Sequence, residues 1–276
     1  MMDVFGEDAK RALACAYPDA PALLTHGLRD HPLLGLPRLV EAANALPPGD
    51  IEHNLGDIAV SQPDPASVPS NGLDPAQTVA RIADNRSWIA LRNVERLPEY
   101  AALTRAILAE LEPVLAPATG PAHRHEAYVF VTSPGSVTPF HMDPEHNVLL
   151  QLRGTKTMTV FPGDDPRVVP DARHEAFAAG GHCNLDYDEG AMAPLGRAFT
   201  LRAGDALHVP LLAPHFVRNG SEVSVSLSIT WRSEASDRRR RIHLANRRLR
   251  RFGLDPRALG RSRAADAAKA ALGRFA

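Results

Sequence analysis

Apolar and polar positions follow a helical spacing over much of the first 120 residues and an alternating one after that. Glu7 to Ala16 has helical composition, Leu23 to Leu28 reads as a short strand, and Leu36 to Leu46 repeats apolar residues at helical spacing before a Pro-Pro stop. Residues 61–74 are rich in Pro, Ser, Gly and Asn and predict a surface loop. A helix is predicted from Pro75 with Asp74 as its cap, then a strand from Ser87 to Val94, then an amphipathic helix from Pro98 to Leu115 ended by Ala116-Pro117. From Glu126 onward the pattern becomes short alternating runs separated by Pro-Gly, Arg-Gly and Ala-Gly-Asp turns. The predicted strands are Ala127–Thr132, Val137–His141, Asn147–Leu152, Thr157–Phe161, Ala198–Leu201, Ala206–Pro210 and Ser224–Trp231. Their spacing suits a small barrel or sandwich.

Two stretches depart from this β pattern. Residues 163–197 are too long for a hairpin loop, and an insertion of that size predicts a lid or substrate contact. Residues 236–276 return to helix, broken near Gly253–Pro256 and at Gly260. The chain thus reads as three parts: N-terminal helices and strands over 1–120, a β barrel over 121–235 and a helical tail over 236–276.

Composition narrows the setting. With 276 residues, 44% hydrophobic and 23% charged, the chain has the make-up of a globular protein with a sizeable core. No apolar run approaches a membrane span, and the N-terminus lacks a basic head followed by an apolar stretch. The only cysteines, Cys15 and Cys183, form no CxxC; this argues against a disulfide framework or thiolate zinc site and predicts a cytoplasmic protein. The net charge of -1 conceals an asymmetry, because the tail carries twelve arginines and one lysine against Asp237, Asp255 and Asp266. Nucleic acid, anionic lipid or the protein's own acidic body could each be the counterpart of that charge.

The chemistry-bearing feature is His141-Met142-Asp143, answered 72 residues beyond the aspartate by His215. Residues i and i+2 of a strand point the same way, so His141 and Asp143 can address one ion together. Two imidazoles and a carboxylate fill one face of an octahedral metal and leave the other positions open, the arrangement of non-haem Fe(II) oxygenases. Lys156 begins the strand after the Arg153-Gly154 turn. A dicarboxylate co-substrate bound to such a metal needs a cation at its far carboxylate; Lys156 provides one, and Thr138 a second hydrogen bond.

The segment VTPFHMDPEHNVLLQLRGTKTMTVFP (137–162) resembles the JmjC cupin-like hydroxylases, most nearly their asparaginyl-hydroxylase subgroup. Thr138, Pro139, His141, Asp143, Asn147, Gly154, Lys156, Phe161 and Pro162 match that pattern. Gly204, Asp205, Leu207 and Pro210 then lead to His215. The resemblance implies a double-stranded β-helix, or jelly-roll, barrel in an α+β chain. It implies Fe(II) held by His141, Asp143 and His215, and 2-oxoglutarate held by Lys156 and Thr138. Departures are also visible: Ala213-Pro214 stands where that subgroup has two aromatics. Ser226 or Ser228, depending on register, stands where it often has an asparagine near the iron. Asn147, Tyr128 and Ser228 complete the expected co-substrate surroundings. His123, His125, His146, His174, His182 and His208 are expected at surfaces or in loops, with His208 a candidate for lining the barrel. Asp205 is expected to cap its turn.

The activity so implied is oxidation of a C–H bond coupled to decarboxylation of 2-oxoglutarate to succinate, with a protein side chain the favoured substrate. Two other readings predict different behaviour. A non-catalytic metal- or ligand-binding cupin would form no succinate, and a regulatory protein contacting nucleic acid through its arginines would bind it in a salt-sensitive way. The tail has a third reading: the resemblance implies a homodimer through C-terminal helices. Ile242, Leu244, Leu249, Phe252 and Leu254 supply an apolar stripe for it.

Overall fold

The computed structural model describes residues 3–275; Met1, Met2 and Ala276, the outermost residues of the N-terminal segment and the basic tail, lie outside them. In chain order the elements are α1 (Glu7–Ala16), β1 (Ala22–Thr25), α2 (Leu36–Ala45), β2 (Ile51–Leu55), α3 (Pro75–Ala80) and β3 (Ser87–Leu91). Then come α4 (Pro98–Thr119), β4 (His123–Thr132), β5 (Val137–His141), β6 (His146–Arg153), β7 (Thr155–Val160), α5 (Asp171–Ala178) and α6 (Glu189–Met192). The chain ends with β8 (Arg197–Arg202), β9 (Asp205–Val209), β10 (His215–Asn219), β11 (Ser224–Arg232), α7 (Glu234–Arg251) and α8 (Arg263–Leu272).

A seven-stranded sheet in the order β1-β9-β6-β11-β4-β3-β2 faces a four-stranded sheet in the order β5-β10-β7-β8. The strand pairs are antiparallel, and β1 to β3, from the N-terminal part, extend the larger sheet on both sides. This is the jelly-roll β core in an α+β chain that the motif implied.

Strand β11 shows how the sequence builds the layers. Its residues Val225, Leu227, Ile229 and Trp231 pack into a core shared with Leu13 of α1, Leu39 of α2 and Ile107 and Leu111 of α4. The intervening Ser224, Ser226, Ser228 and Thr230 are buried on the opposite face, inside the barrel. A second core lies between the sheets, where Leu149, Leu207 and Val209 meet Met158, Val160, Leu201 and Val217. A third lies outside the smaller sheet, where Phe140 and Phe216 are covered by Phe161, Val168, Val169 and Leu185. The last three belong to the segment between β7 and β8, which folds over that sheet with α5 and α6.

Helix α3 is capped as expected, with the Asp74 carboxylate accepting from the Gln77 N–H at 2.7 Å. Asp205 likewise closes its turn on the Arg202 N–H at 2.8 Å. The predicted strand at Leu23 ends at Thr25, where His26 turns to meet Gly204. Helix α4 runs beyond Ala116-Pro117 to Thr119 with Pro113 and Pro117 inside it. Pro117 lacks the N–H that would bond residue 113, yet tertiary burial of Leu111, Leu115 and Thr119 keeps the last turn helical. Two strands, β2 and β10, were not expected from the sequence.

The tail's apolar stripe divides. Ile242 is fully buried against its own chain, whereas Phe252 and Leu254 beyond the helix are 82% and 56% exposed. Several arginines are used internally, Arg250 for example pairing with Glu175 and Asp255. Among the described residues no helix is long and apolar enough to cross a membrane, and both cysteines are free.

Candidate metal centre

His141 ends β5 and His215 opens β10, and the two are direct partners in the antiparallel pairing. Their rings lie 4.2 Å apart between centroids. Asp143 follows on the loop after β5, anchored where its carbonyl accepts from the Leu212 N–H at 3.1 Å. Its two carboxylate oxygens lie 3.9 Å from His141 Nε2 and 3.7 Å from His215 Nε2. One donor atom from each residue falls within 4.8 Å of the others, the only such His, Cys, Asp or Glu group found among the described residues.

The tautomers are fixed in a way that suits a metal. His141 Nδ1 donates to the Pro139 carbonyl at 2.7 Å, and His215 Nδ1 donates to the Ala213 carbonyl at 3.0 Å. With the proton on Nδ1, each Nε2 presents a lone pair toward Asp143. Burial, reinforced by the neighbouring His141, lowers the His215 pKa to about 4, so its imidazole is neutral at neutral pH. Two imidazole nitrogens and a carboxylate are a donor set that a divalent transition ion fits.

A β-bulge makes the spacing from Thr138 to His141 work. Residues three apart on a regular strand face opposite ways, yet Thr138 pairs with Val217 while His141 pairs with His215. The extra residue in β5 resets the alternation, so both face the barrel interior alongside Val217. Lys156 sits on β7 opposite Asn219 of β10 and is 4% exposed. Its Nζ crosses to the other sheet and donates to the Ser226 hydroxyl at 2.6 Å. Burial lowers the Lys156 pKa to about 7. A buried ammonium with one hydroxyl partner is costly unless a counter-charge joins it, which fits an anionic ligand in this barrel.

The remaining expected residues also line this interior, with their hydroxyls committed. Ser228 donates to Asn147 Oδ1 at 2.8 Å. Tyr128 donates to the Glu126 carboxylate, and burial next to that carboxylate pushes its phenol pKa up. Of the two serines, Ser226 is the residue that meets Lys156 and Ser228 the one that meets Asn147. Sequence reasoning gave no role to Asn219, whose Nδ2 donates to the Ser136 carbonyl at 2.9 Å while its buried Oδ1 has no partner. It also missed Glu145, two residues from Asp143 and bonded to Arg232 at 2.7 Å, with a pKa raised by burial to about 7. Placement on β10, i and i+4 from His215, was the available signal for Asn219. The expectation that His146 and His174 lie at surfaces or in loops is corrected, and His208, the candidate for lining the barrel, pairs with Val148 and packs on Tyr17 at the outer face of the larger sheet; all three are at most 3% exposed. They are covered by Tyr17, Trp231 and α7, elements distant in sequence.

Two facing antiparallel sheets with a two-histidine, one-carboxylate cluster at their edge define a cupin-type barrel with a candidate metal site. The match of residues 73–237 to the cupin-like domain model covers more than half of the chain, which belongs to this JmjC-type cupin-like family. It is similar to the JmjC domain-containing protein D of Dictyostelium discoideum, 30% identical over 94 residues, covering 32% of this chain and 21% of that protein. It is also similar to the lysine-specific demethylase JMJ30 of Arabidopsis thaliana, 28% identical over 106 residues, covering 37% of this chain and 24% of that protein. These matches span only about a fifth to a quarter of the relatives' length. Among solved structures, E. coli YcfD superposes with a TM-score of 0.52 at 15% identity, covering 96% of this chain and 66% of that one, a likeness of fold.

Proposed function

We propose that this protein is an Fe(II)- and 2-oxoglutarate-dependent oxygenase that hydroxylates a protein or peptide side chain, with release of succinate and carbon dioxide. The observation that carries this reading is the convergence of His141, Asp143 and His215 at one end of a barrel whose interior holds the buried ammonium of Lys156. Bound there, ferrous iron would supply dioxygen activation coupled to decarboxylation of the 2-oxo acid.

The chain's own residues would do the rest. His141 and His215 would bind through Nε2, held in orientation by the carbonyls of Pro139 and Ala213. Lys156, oriented by Ser226, would pair with the distal carboxylate of 2-oxoglutarate, with Thr138 adding a hydrogen bond from the bulged strand. Ser228 would position the Asn147 amide, and Tyr128 would serve as a wall, its hydroxyl spent on Glu126. Leu149, Met158, Val160 and Val217 would keep bulk water from the interior. Asp143 is the most exposed of the three candidate ligands, its side chain 31% accessible, so the substrate would approach from its side.

The exposed Phe252 and Leu254 support homodimerisation through the C-terminal helices. Light scattering should then show a dimer for the full chain and a monomer for Phe252→Glu/Leu254→Glu. The enzymatic reading is tested by mass-spectrometric detection of succinate from purified protein supplied with Fe(II), 2-oxoglutarate and O₂. Turnover is expected in the native protein and not in His141→Ala; its absence from the iron-loaded native protein would favour a non-catalytic cupin.

A further inference from the structure

A second cavity of about 380 Å³ lies beside the metal centre, between α5, α7 and the Pro144 loop. Its lining is strongly cationic. Arg124, Arg232 and Arg240 face it against one carboxylate, Asp237. Arg232 is paired with Glu145 and Asp237 lies 3.4 Å from His123. Among the described residues neither Arg124 nor Arg240 has a carboxylate within ion-pair distance.

Two features give the cavity the character of a built site. Arg124 has a φ of +51° and lies where β4 carries an extra residue between its pairings with Thr230 and Arg232. Bulges of this kind re-aim a side chain out of the strand's alternation. On the opposite side, His243 is 3% exposed and neither of its ring nitrogens has a hydrogen-bond partner. It stacks on His174 at 5.2 Å, and the Nε2 of that ring donates to the Gly163 carbonyl at 2.7 Å. An imidazole always carries at least one N–H, so His243, which lines the cavity, holds a buried donor without an acceptor. Arg240 and His243 lie three residues apart on α7, on one face of the helix.

We infer that this cavity is an oxyanion-binding site, separate from the Lys156 interior, which takes a phosphate or carboxylate group between Arg124, Arg240 and His243. Guanidinium forks and an imidazole N–H match the lone pairs of such a group, and its charge would offset the cluster of cations. The cavity is large enough for a small phosphorylated or polycarboxylate molecule. Pro144 and Leu212 line it as well, so a bound anion would touch the segment that carries Asp143. The inference does not depend on the oxygenase chemistry.

The test is calorimetric titration of metal-free full-length protein with inorganic phosphate and, separately, with citrate at constant ionic strength. At least one should bind at millimolar or lower concentration, and the preferred one identifies the oxyanion. Arg124→Gln/Arg240→Gln should weaken that binding at least tenfold, and His243→Phe, which keeps a stacked ring, should do the same. The surface control Arg238→Gln should leave it within twofold. Binding of neither anion overturns the inference. So does unchanged affinity in the double arginine variant, whose substitutions are at exposed positions that folding tolerates.

Discussion

His141 and His215 are cross-strand partners, and each spends its Nδ1 proton on the carbonyl two residues before it, Pro139 and Ala213 respectively. The same i−2 contact on two antiparallel strands turns both Nε2 atoms toward Asp143. A divalent ion should therefore bind in stoichiometric amount, and Mn(II) serves as a redox-inert probe. His215→Ala and Asp143→Ala should each weaken Mn(II) binding by about a hundredfold or more, since loss of even a residue that only orients a ligand costs about ten- to a hundredfold. Calorimetry checks this, and unchanged Mn(II) affinity in both variants would remove the metal assignment.

Lys156 makes stability depend on pH in a direction opposite to that of a paired lysine. Unfolded, a lysine keeps its proton to about pH 10.4, whereas in the fold burial brings this group to about 7. Between those values the unfolded chain holds the extra proton, so Lys156 destabilises the fold near and below pH 7 and is relieved as pH rises toward about 10. The difference in urea midpoint between Lys156→Met and the native protein should be largest near pH 6.5 and shrink by pH 9.5. Parallel pH profiles would contradict the buried ammonium. The same variant should bind 2-oxoglutarate at least tenfold more weakly while retaining Mn(II).

The alternation of Val, Leu and Ile with Ser in β11, and the turns around Arg153-Gly154 and Gly204, made most of the barrel legible in the sequence. Strand β10 was not. HFVRN places two apolar residues side by side, and its definition comes from β5 and β7, whose paired residues lie 55 to 81 positions earlier. The β5 bulge was hidden for the same reason: nothing local except Pro139 signals that Thr138 and His141 share a face. Burial of His146, His174, His208 and His243 depends on packing by Tyr17, Trp231 and α7, which no local pattern reports.

Ser226 and Ser228 are two residues apart on one face of β11, and their partners differ. Ser226 accepts the Lys156 ammonium, whereas Ser228 donates to Asn147. Ser226→Ala removes the hydrogen-bond partner of a buried charge, worth about 1.5–3 kcal/mol. It should raise the Kd for 2-oxoglutarate roughly tenfold with Mn(II) affinity unchanged. Ser228→Ala should shift it by less than about fivefold, since the loss of a neutral hydrogen bond costs nearer 1 kcal/mol. Equal effects from the two would mean that Ser226 does not orient the lysine.

Gly154 turns the chain from β6 into β7, two residues before Lys156, with a φ of +68°. A Cβ there would lie 2.4 Å from the carbonyl oxygen of Val223, immediately before β11. The turn and the start of β11 are pressed together, and only a residue without a side chain lets Lys156 and Ser226 approach from their two sheets. Gly154→Ala combines a left-handed backbone with a backbone clash that no rotamer relieves. It should destabilise the fold by about 2–4 kcal/mol. Urea unfolding measures the loss, and a change under about 0.5 kcal/mol would show that the turn relaxes without strain. Any folded Gly154→Ala protein should also bind 2-oxoglutarate more weakly than the native chain, because the turn sets the height of Lys156 above Ser226.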